Sequence, residues 1–318
     1  MKLIQLLNYD TTSDSEVFSK TVLDDLRLKI EACTVANSEG KPNEDAYTIV
    51  RHDDCLWIGM FDGTTSLKII PALGDQSGAR FASHFLKDAM AKNINDSDLE
   101  PKDLLTKLNS LLLDQAIKLG GTLSDTHSLP ACLTTIAKLD FKNNLLKFAH
   151  IGDTYGIGNN SDGSTFIFTD DKNNKFDQEM FDLMKKISIE KGITIRQARQ
   201  GDELKKTLYQ MFIRRNNNPN GFGSGLVNGD PNAVQYIQSG QFSLDSIQSI
   251  LIATDGFEIM GKNQNNSTFR QNIFKIINQN GLPGFIKLKK KSEDLDPDWN
   301  YPRYKHSDDA SAVYVTLV

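Results

Sequence analysis

The sequence predicts an α+β fold, with antiparallel sheet in the middle of the molecule and helices covering it. Three observations predict this. Apolar runs of strand length come in pairs joined by short polar links, as in "AYTIVRH" (46–52) and "CLWIGMF" (55–61) on either side of Asp53 and Asp54. Two helical patterns follow one another with no strand between them. Strands and helices do not alternate as a βαβ series would require, and hairpin-length connections mean antiparallel pairing.

The elements follow in order. "MKLIQLLNYD" reads as a first strand or a docking segment, and its apolar patch is too short for a signal-peptide core. Residues 11–27 are polar and acidic, a helix or a loose lead-in, so 1–27 is expected to precede the folded body. "KIEACTVAN" (29–37) alternates as a strand does and precedes the 46–52 and 55–61 pair. Ala79, Ala82, Phe85, Leu86 and Ala89 then share one helix face. Pro101 opens a second helix with Leu104, Leu105, Leu108, Leu111, Leu112 and Ala116 on one face. "ACLTTIAKLD" (131–140) and "LLKFAHIGD" (145–153) read as a hairpin, and "STFIFT" (164–169) as another strand. Residues 172–212 look mainly helical, and "RRNNNPNGFGSG" (214–225) breaks them with a loop. "QSILIAT" (248–254) is a strand, 266–293 is helical, and "ASAVYVTLV" (310–318) is a β-branched last strand. A single domain over 1–318 is expected, with 172–225 as an insert.

Composition narrows the function classes. Lysine plus arginine number 36 against 41 aspartate plus glutamate, a net charge of −5, which argues against non-specific nucleic-acid binding. No apolar run approaches the ~20 residues that span a bilayer. Cys33, Cys55 and Cys132 are widely spaced without a CxxC, as suits buried thiols in a reducing compartment rather than disulfides or zinc. A cytoplasmic protein without membrane or nucleic-acid partners is expected.

The chemistry resides in the acids. Asp62 ("GMFDG"), Asp255 ("LIATDG") and Asp153 ("AHIGD") each close an apolar strand. Glu44 and Asp45 ("NEDAYTIV") and Asp308 and Asp309 ("HSDDASAVYV") each precede one. In an antiparallel pair the start of one strand lies beside the end of its neighbour. A turn centred on Asp53–Asp54 therefore puts Asp45 directly opposite Asp62, and the same logic brings Asp308 to the edge where the Asp255 strand ends. Carboxylates gathered in this way repel one another unless a cation joins them. With only oxygen ligands and no His–Cys set, the cation is a hard one, Mg²⁺ or Mn²⁺. Gly63 and Gly256 are expected to let the backbone turn tightly, with a carbonyl free for the ion. A lone strand–Asp–Gly is more often a turn than a ligand, so the weight rests on the combination. No stretch matches a calcium-binding EF-hand loop.

"NEDAY", "FDGTTS", "LTTIAKLDFKNNLLKFAHIGDTYG", "LIATDGFEIM" and "SDDASAVYV" resemble, in order and approximate spacing, the motifs of metal-dependent serine/threonine protein phosphatases of type 2C, in a bacterial-like form. The resemblance covers roughly residues 30–318. It implies a four-layer α-β-β-α sandwich and a binuclear Mn²⁺/Mg²⁺ centre that hydrolyses phosphoserine and phosphothreonine in proteins directly, by a metal-activated water and without a phosphoenzyme. Asp62 looks like the bridging ligand, with the Gly63 carbonyl on one ion and Asp255 and Asp308 on the other. Glu44 and Asp45 look like the pair that reaches the metals through water, and Asp153 like the aspartate that holds a third ion. The insert corresponds to the family's flap. The chain departs from the pattern at Gly40, where an Arg for substrate phosphate is common, leaving neighbouring Lys41 as the candidate cation. It departs again at Thr64, where many members carry a His proposed as general acid, and His306 is the candidate replacement. Asp309 stands where Asn is common, and Ser311 in register with the family's Ser favours Asp308 as the ligand. The alternatives are a catalytically inactive phosphoprotein-binding or regulatory module on the same fold, and a hydrolase of small phosphoesters.

Overall fold

The computed structural model describes residues 4–6, 16–64, 68–259 and 267–317. Thr65 and Ser66 of "FDGTTS", Leu67 and Asn266 lie outside the described residues. The strands are β1 (Ile4–Leu6), β2 (Val17–Leu23), β3 (Leu28–Val35), β4 (Asp45–His52), β5 (Cys55–Thr64), β6 (Ala131–Asp140), β7 (Leu145–Ile151), β8 (Tyr155–Asn160), β9 (Thr165–Ile167), β10 (Gln238–Ser243), β11 (Ile247–Ala253) and β12 (Ala310–Leu317). The α-helices are α1 (Gly78–Asn93), α2 (Pro101–Lys118), α3 (Asn174–Lys191), α4 (Ile195–Gln200), α5 (Asp202–Arg215) and α6 (Ser267–Asp294). Among the described residues the strands form two six-stranded antiparallel sheets, in the orders β1-β4-β5-β6-β7-β10 and β2-β3-β12-β11-β8-β9.

Strands buried on both faces explain the unbroken apolar runs. Ile58 and Met60 point between the sheets, where they join Ile30, Tyr47, Leu139, Ile250, Ile252 and Val313. Trp57 and Phe61, their neighbours along β5, point the other way and pack with Leu86 and Met90 of α1 and Leu104 and Leu108 of α2. On the far side, Phe274, Ile277 and Phe285 of α6 cover Leu251, Ala253 and Ala312. The layers are therefore helix, sheet, sheet, helix, as expected. α6 is broken at Gly281 (φ 67°), two residues before Pro283. Glycine suits the positive φ there, and proline lacks the N–H that would continue the helix.

α3, α4 and α5 build a separate apolar cluster from Phe176, Met180, Met184, Leu204, Leu208 and Met211. The helical expectation for 172–212 thus resolves into three helices, and the break falls after Arg215. The lead-in expectation is corrected: Val17–Leu23 is an edge strand whose residues pair with Leu28–Thr34. Its alternate residues are exposed, so its hydrogen bonds and not a wholly apolar face place it. β10, five of whose six residues are exposed, is an edge strand of the same kind on β7. β8 reads "YGIGNN" because Cβ atoms at Gly156 and Gly158 would lie 2.1–2.2 Å from the rings of Phe168 and Phe166. β7 stops at Ile151 because Gly152 takes φ +108°. The three cysteines are free and buried. Among the described residues no helix is long and apolar enough to cross a membrane.

Candidate functional site

Asp45 pairs directly with Asp62, and the two-residue turn between His52 and Cys55 is the one at Asp53–Asp54, with Asp53 at φ +51°. β11 pairs with β12 through Ala253↔Ala312, and the Thr254 N–H donates to the Ser311 carbonyl, so Asp255 and Asp308 leave the same end of the second sheet. Gly256 makes this closeness possible. A Cβ there would lie 1.8 Å from the Asp309 carbonyl oxygen and 3.1 Å from Asp308 Cβ. At Gly63 a Cβ would lie 2.6 Å from the carbonyl oxygens of Glu44 and Ala79. Neither glycine has a positive φ. The tight-turn expectation holds at Gly256, where the Phe257 N–H donates to the Thr254 carbonyl at 3.0 Å, and is corrected at Gly63, which lies within β5; at both, close approach of another backbone demands glycine.

Burial and mutual repulsion shift the carboxyls of the site upward. Burial and then the charge of Asp255 raise the Asp62 carboxyl well above its usual range, with Asp45, Asp153 and Asp308 adding to it. Burial and then Asp308 do the same to Asp255, although its hydrogen bond with Asp62 opposes the rise. Burial followed by Asp309 raises Asp45. The Thr254 hydroxyl donates to Asp45 Oδ2 (2.8 Å) and accepts from the Ser311 N–H (3.0 Å), tying the two sheets together at the site. Burial also raises Glu44, whose Oε1 accepts from the Ser77 hydroxyl at 2.5 Å.

The structure separates Asp308 from Asp309. Asp309 Oδ1 accepts from the Asn37 N–H (2.7 Å) and side-chain amide (2.8 Å), and Oδ2 from the Glu44 N–H (2.8 Å). Both oxygens are thus committed to holding the 37–44 loop. Asp308 instead faces the cleft, where Lys305 Nζ donates to its Oδ1 at 2.7 Å.

That cleft, about 390 Å³, runs between α3 and the 301–308 segment and carries Asp153, Asp255 and Asp308. Asp153 accepts from Asn173 Nδ2 (2.7 Å) through Oδ2, while Oδ1 has no partner among the described residues. Burial and then Asp171 push Asp153 up to about 7. Tyr304 donates to Asp177 Oδ1 (2.8 Å) and packs on Phe181, joining the 301–308 segment to α3. Lys41 stands outside the cleft lining, exposed and paired with Glu39 at 2.8 Å. His306 lines the cleft, with Nε2 3.9 Å from Asp294.

Several site residues carry no sequence signal. Lys305, Asp171 and Asp177 lie in polar loops or on a helix face with no strand-end pattern. Glu258 follows Asp255 by three residues, just past the turn, and brings a further raised carboxyl, through burial and then the Asp255 charge. Spacing on "TDGFE" could have flagged it.

A divalent ion fits the chemistry of this donor set: hard oxygen ligands, mutually repelling, with a buried unpartnered oxygen on Asp153 and another on Glu258. Among the described residues no three Asp, Glu, His or Cys side chains are already gathered as a finished cage.

Residues 34–289 match the family profile of protein phosphatase 2C. Among curated proteins there is no match. Solved structures that resemble the chain include the S. agalactiae serine/threonine phosphatase (TM-score 0.53, 14% identity, covering 92% of this chain and 100% of that one). Serine-threonine phosphatase 2C from Toxoplasma gondii gives a TM-score of 0.54 at 12% identity over 96% of this chain and 100% of that one. RsbX in complex with magnesium gives 0.50 at 11% over 95% and 100%. At such identities the likeness is one of fold, whereas the profile match spans most of the sequence. The chain belongs to the protein phosphatase 2C family.

Proposed function

We propose that this chain is a metal-dependent phosphatase that hydrolyses phosphoserine and phosphothreonine in proteins. One observation carries the reading: Asp45 lies opposite Asp62 while Asp255 and Asp308 converge from the other sheet, their negative charges opposing one another, and Asp255 and Asp308 line the cleft. Asp62, the Gly63 carbonyl, Asp255 and Asp308 would hold two ions, Mn²⁺ or Mg²⁺. Asp45 and Glu44 would reach them through water, and Asp153 would hold a third. Such ions, when bound, lower the pKa of a water and neutralise phosphoryl oxygens.

The chain's own part is positioning. Thr254 fixes Asp45, Ser77 fixes Glu44, and Asp309 holds the loop that presents both. The close approach at Gly256 sets Asp255 beside Asp308. α3–α5 act as a flap that walls the cleft and selects the substrate within one catalytic domain. A cytoplasmic location suits the three free thiols.

The exposure of Lys41 and the glycine at position 40 favour a second reading, a module that binds phosphoproteins without turnover. One assay separates the readings: hydrolysis of a phosphopeptide panel beside p-nitrophenyl phosphate, with millimolar Mn²⁺ and with EDTA. Metal-dependent release of phosphate from phosphopeptides supports the phosphatase. Turnover of the small ester alone marks a small-phosphoester hydrolase, and no turnover at all sinks the enzyme reading.

A further inference from the structure

A phosphate monoester that enters this cleft meets Asp153, Asp171, Asp177, Asp255, Glu258 and Asp308. Its two negative charges need cationic partners beyond the ions that satisfy the carboxylates. Among the described residues, the lysines and arginines lining the cleft are Lys185, Arg303 and Lys305.

Arg303 is already engaged. Its Nη1 donates to Asp296 Oδ2 (2.6 Å) and the Tyr301 carbonyl (3.2 Å), and its Nη2 to the Asp296 carbonyl (2.7 Å). Lys185 sits on α3 with its ammonium 3.7 Å from Asp182, another exposed α3 side chain. Lys305 differs from both. Its ammonium lies among the carboxylates, 2.7 Å from Asp308 Oδ1, and its side chain is 38% exposed, so it meets solvent within the cleft.

The pairing has a consequence. Asp308 is the carboxylate that a metal would claim, and an ion on either of its oxygens draws off negative charge that otherwise holds the ammonium. A cation arriving at Asp308 therefore weakens the hold on Lys305, whose flexible stem leaves the ammonium free to turn. We propose that Lys305 is the phosphate-binding cation of this cleft, parked on Asp308 in the metal-free protein and turned to a substrate phosphate oxygen once a metal takes that carboxylate. The inference rests on the phosphatase reading of the carboxylate site, and it assigns to the 301–308 segment the role that Lys41, paired with Glu39 outside the cleft, does not fill.

Two titrations test it: Mn²⁺ into metal-free protein, and inorganic phosphate into Mn²⁺-loaded protein, each followed by calorimetry. Lys305→Met and Lys305→Gln should weaken phosphate binding about tenfold or more, the loss of one charge-assisted hydrogen bond. Lys305→Arg should retain most of it. The same neutral variants should bind Mn²⁺ more tightly than the wild type, because no ammonium competes for Asp308. A purely structural lysine would lower the melting temperature of both neutral variants and move neither affinity, and that result overturns the proposal. So does a wild-type protein that takes up Mn²⁺ but no phosphate. Wild-type turnover with phosphate affinity indifferent to Lys305 overturns this inference alone. Phosphate affinity that depends on Lys305 in a protein without turnover upholds the inference and overturns the phosphatase reading.

Discussion

Asp296 and Asp62 are two acids of this fold whose surroundings are opposite. Asp296 accepts from the Asn300 N–H (2.7 Å), the Asn300 side chain (3.0 Å), the Tyr301 N–H (3.1 Å) and Arg303 (2.6 Å). Burial would raise its pKa, but these donors outweigh burial and lower it. Asp62 faces Asp255, Asp45, Asp153 and Asp308, and burial and those charges raise it. Both positions are polar and poorly solvated. The difference teaches how to separate a structural acid from a functional one. Where N–H donors surround the carboxylate, the fold has already compensated its charge. Where other carboxylates surround it, the fold leaves its charge to a bound proton or, under the proposed function, to a divalent ion.

The largest expected effect breaks the Asp62 side. Asp62→Asn and Asp255→Asn should each reduce Mn²⁺-dependent hydrolysis of p-nitrophenyl phosphate by about a thousandfold or more, the several kcal/mol that metal charge contributes. Both variants should melt no lower than the wild type without metal, since each removes a repelling charge. Melting curves beside kinetics check the pair. The Asp296 side should break in the reverse sense. Asp296→Ala leaves the buried Arg303 guanidinium unpaired and should cost about 3–5 kcal/mol in urea unfolding, with Mn²⁺ affinity little changed.

Metal itself sharpens the contrast. Mn²⁺ at a hundredfold over its dissociation constant should stabilise the fold by about 2.7 kcal/mol, and EDTA should reverse both this gain and the activity. The pH dependence separates the two kinds of acid by sign. Asp153 and Asp171 are raised to about 7 by burial first and then by Asp171 and Asp177 respectively. Between the ordinary carboxylate pKa of about 4 and that value, the folded metal-free protein holds more protons than the unfolded chain. Its stability should therefore fall as pH rises through this window. Asp296, held low, contributes stability that is present above the ordinary pKa and lost as pH drops through its lowered folded value. Thermal melts of metal-free protein from roughly pH 5 to pH 8 should thus slope downward, and saturating Mn²⁺ should flatten the slope. The smallest effect distinguishes the neighbours at the last strand. Asp309→Asn should cost about 1 kcal/mol and keep Mn²⁺ affinity, whereas Asp308→Asn should lose much of that affinity in the same calorimetric titration.

The parts of this site carried by strand periodicity were legible in the sequence. Equal arms about the Asp53–Asp54 turn placed Asp45 across from Asp62, and that register is observed. Asp255 and Asp308 were legible for the same reason, because antiparallel pairing binds a strand's end to its neighbour's beginning. Lys305 was not, because a lysine in "RYKHS" carries no periodic signal, and only the three-dimensional turn brings its ammonium to Asp308. Edge strands hid for a related reason. Val17–Leu23 and Gln238–Ser243 are placed by backbone hydrogen bonds to one neighbour, which leave little mark on side-chain polarity. β8 hid behind its glycines, whose missing side chains make room for two phenylalanine rings.

The central claim is that the strand ends carrying Asp62, Asp255 and Asp308 form a binding site for divalent ions. A crystal soaked in Mn²⁺, with anomalous scattering recorded, tests it most directly. The account predicts Mn²⁺ peaks with carboxylate oxygens of Asp62 and Asp255 within about 2.5 Å, and Lys305 released from Asp308. A well-ordered crystal with no Mn²⁺ peak at Asp62 would contradict it.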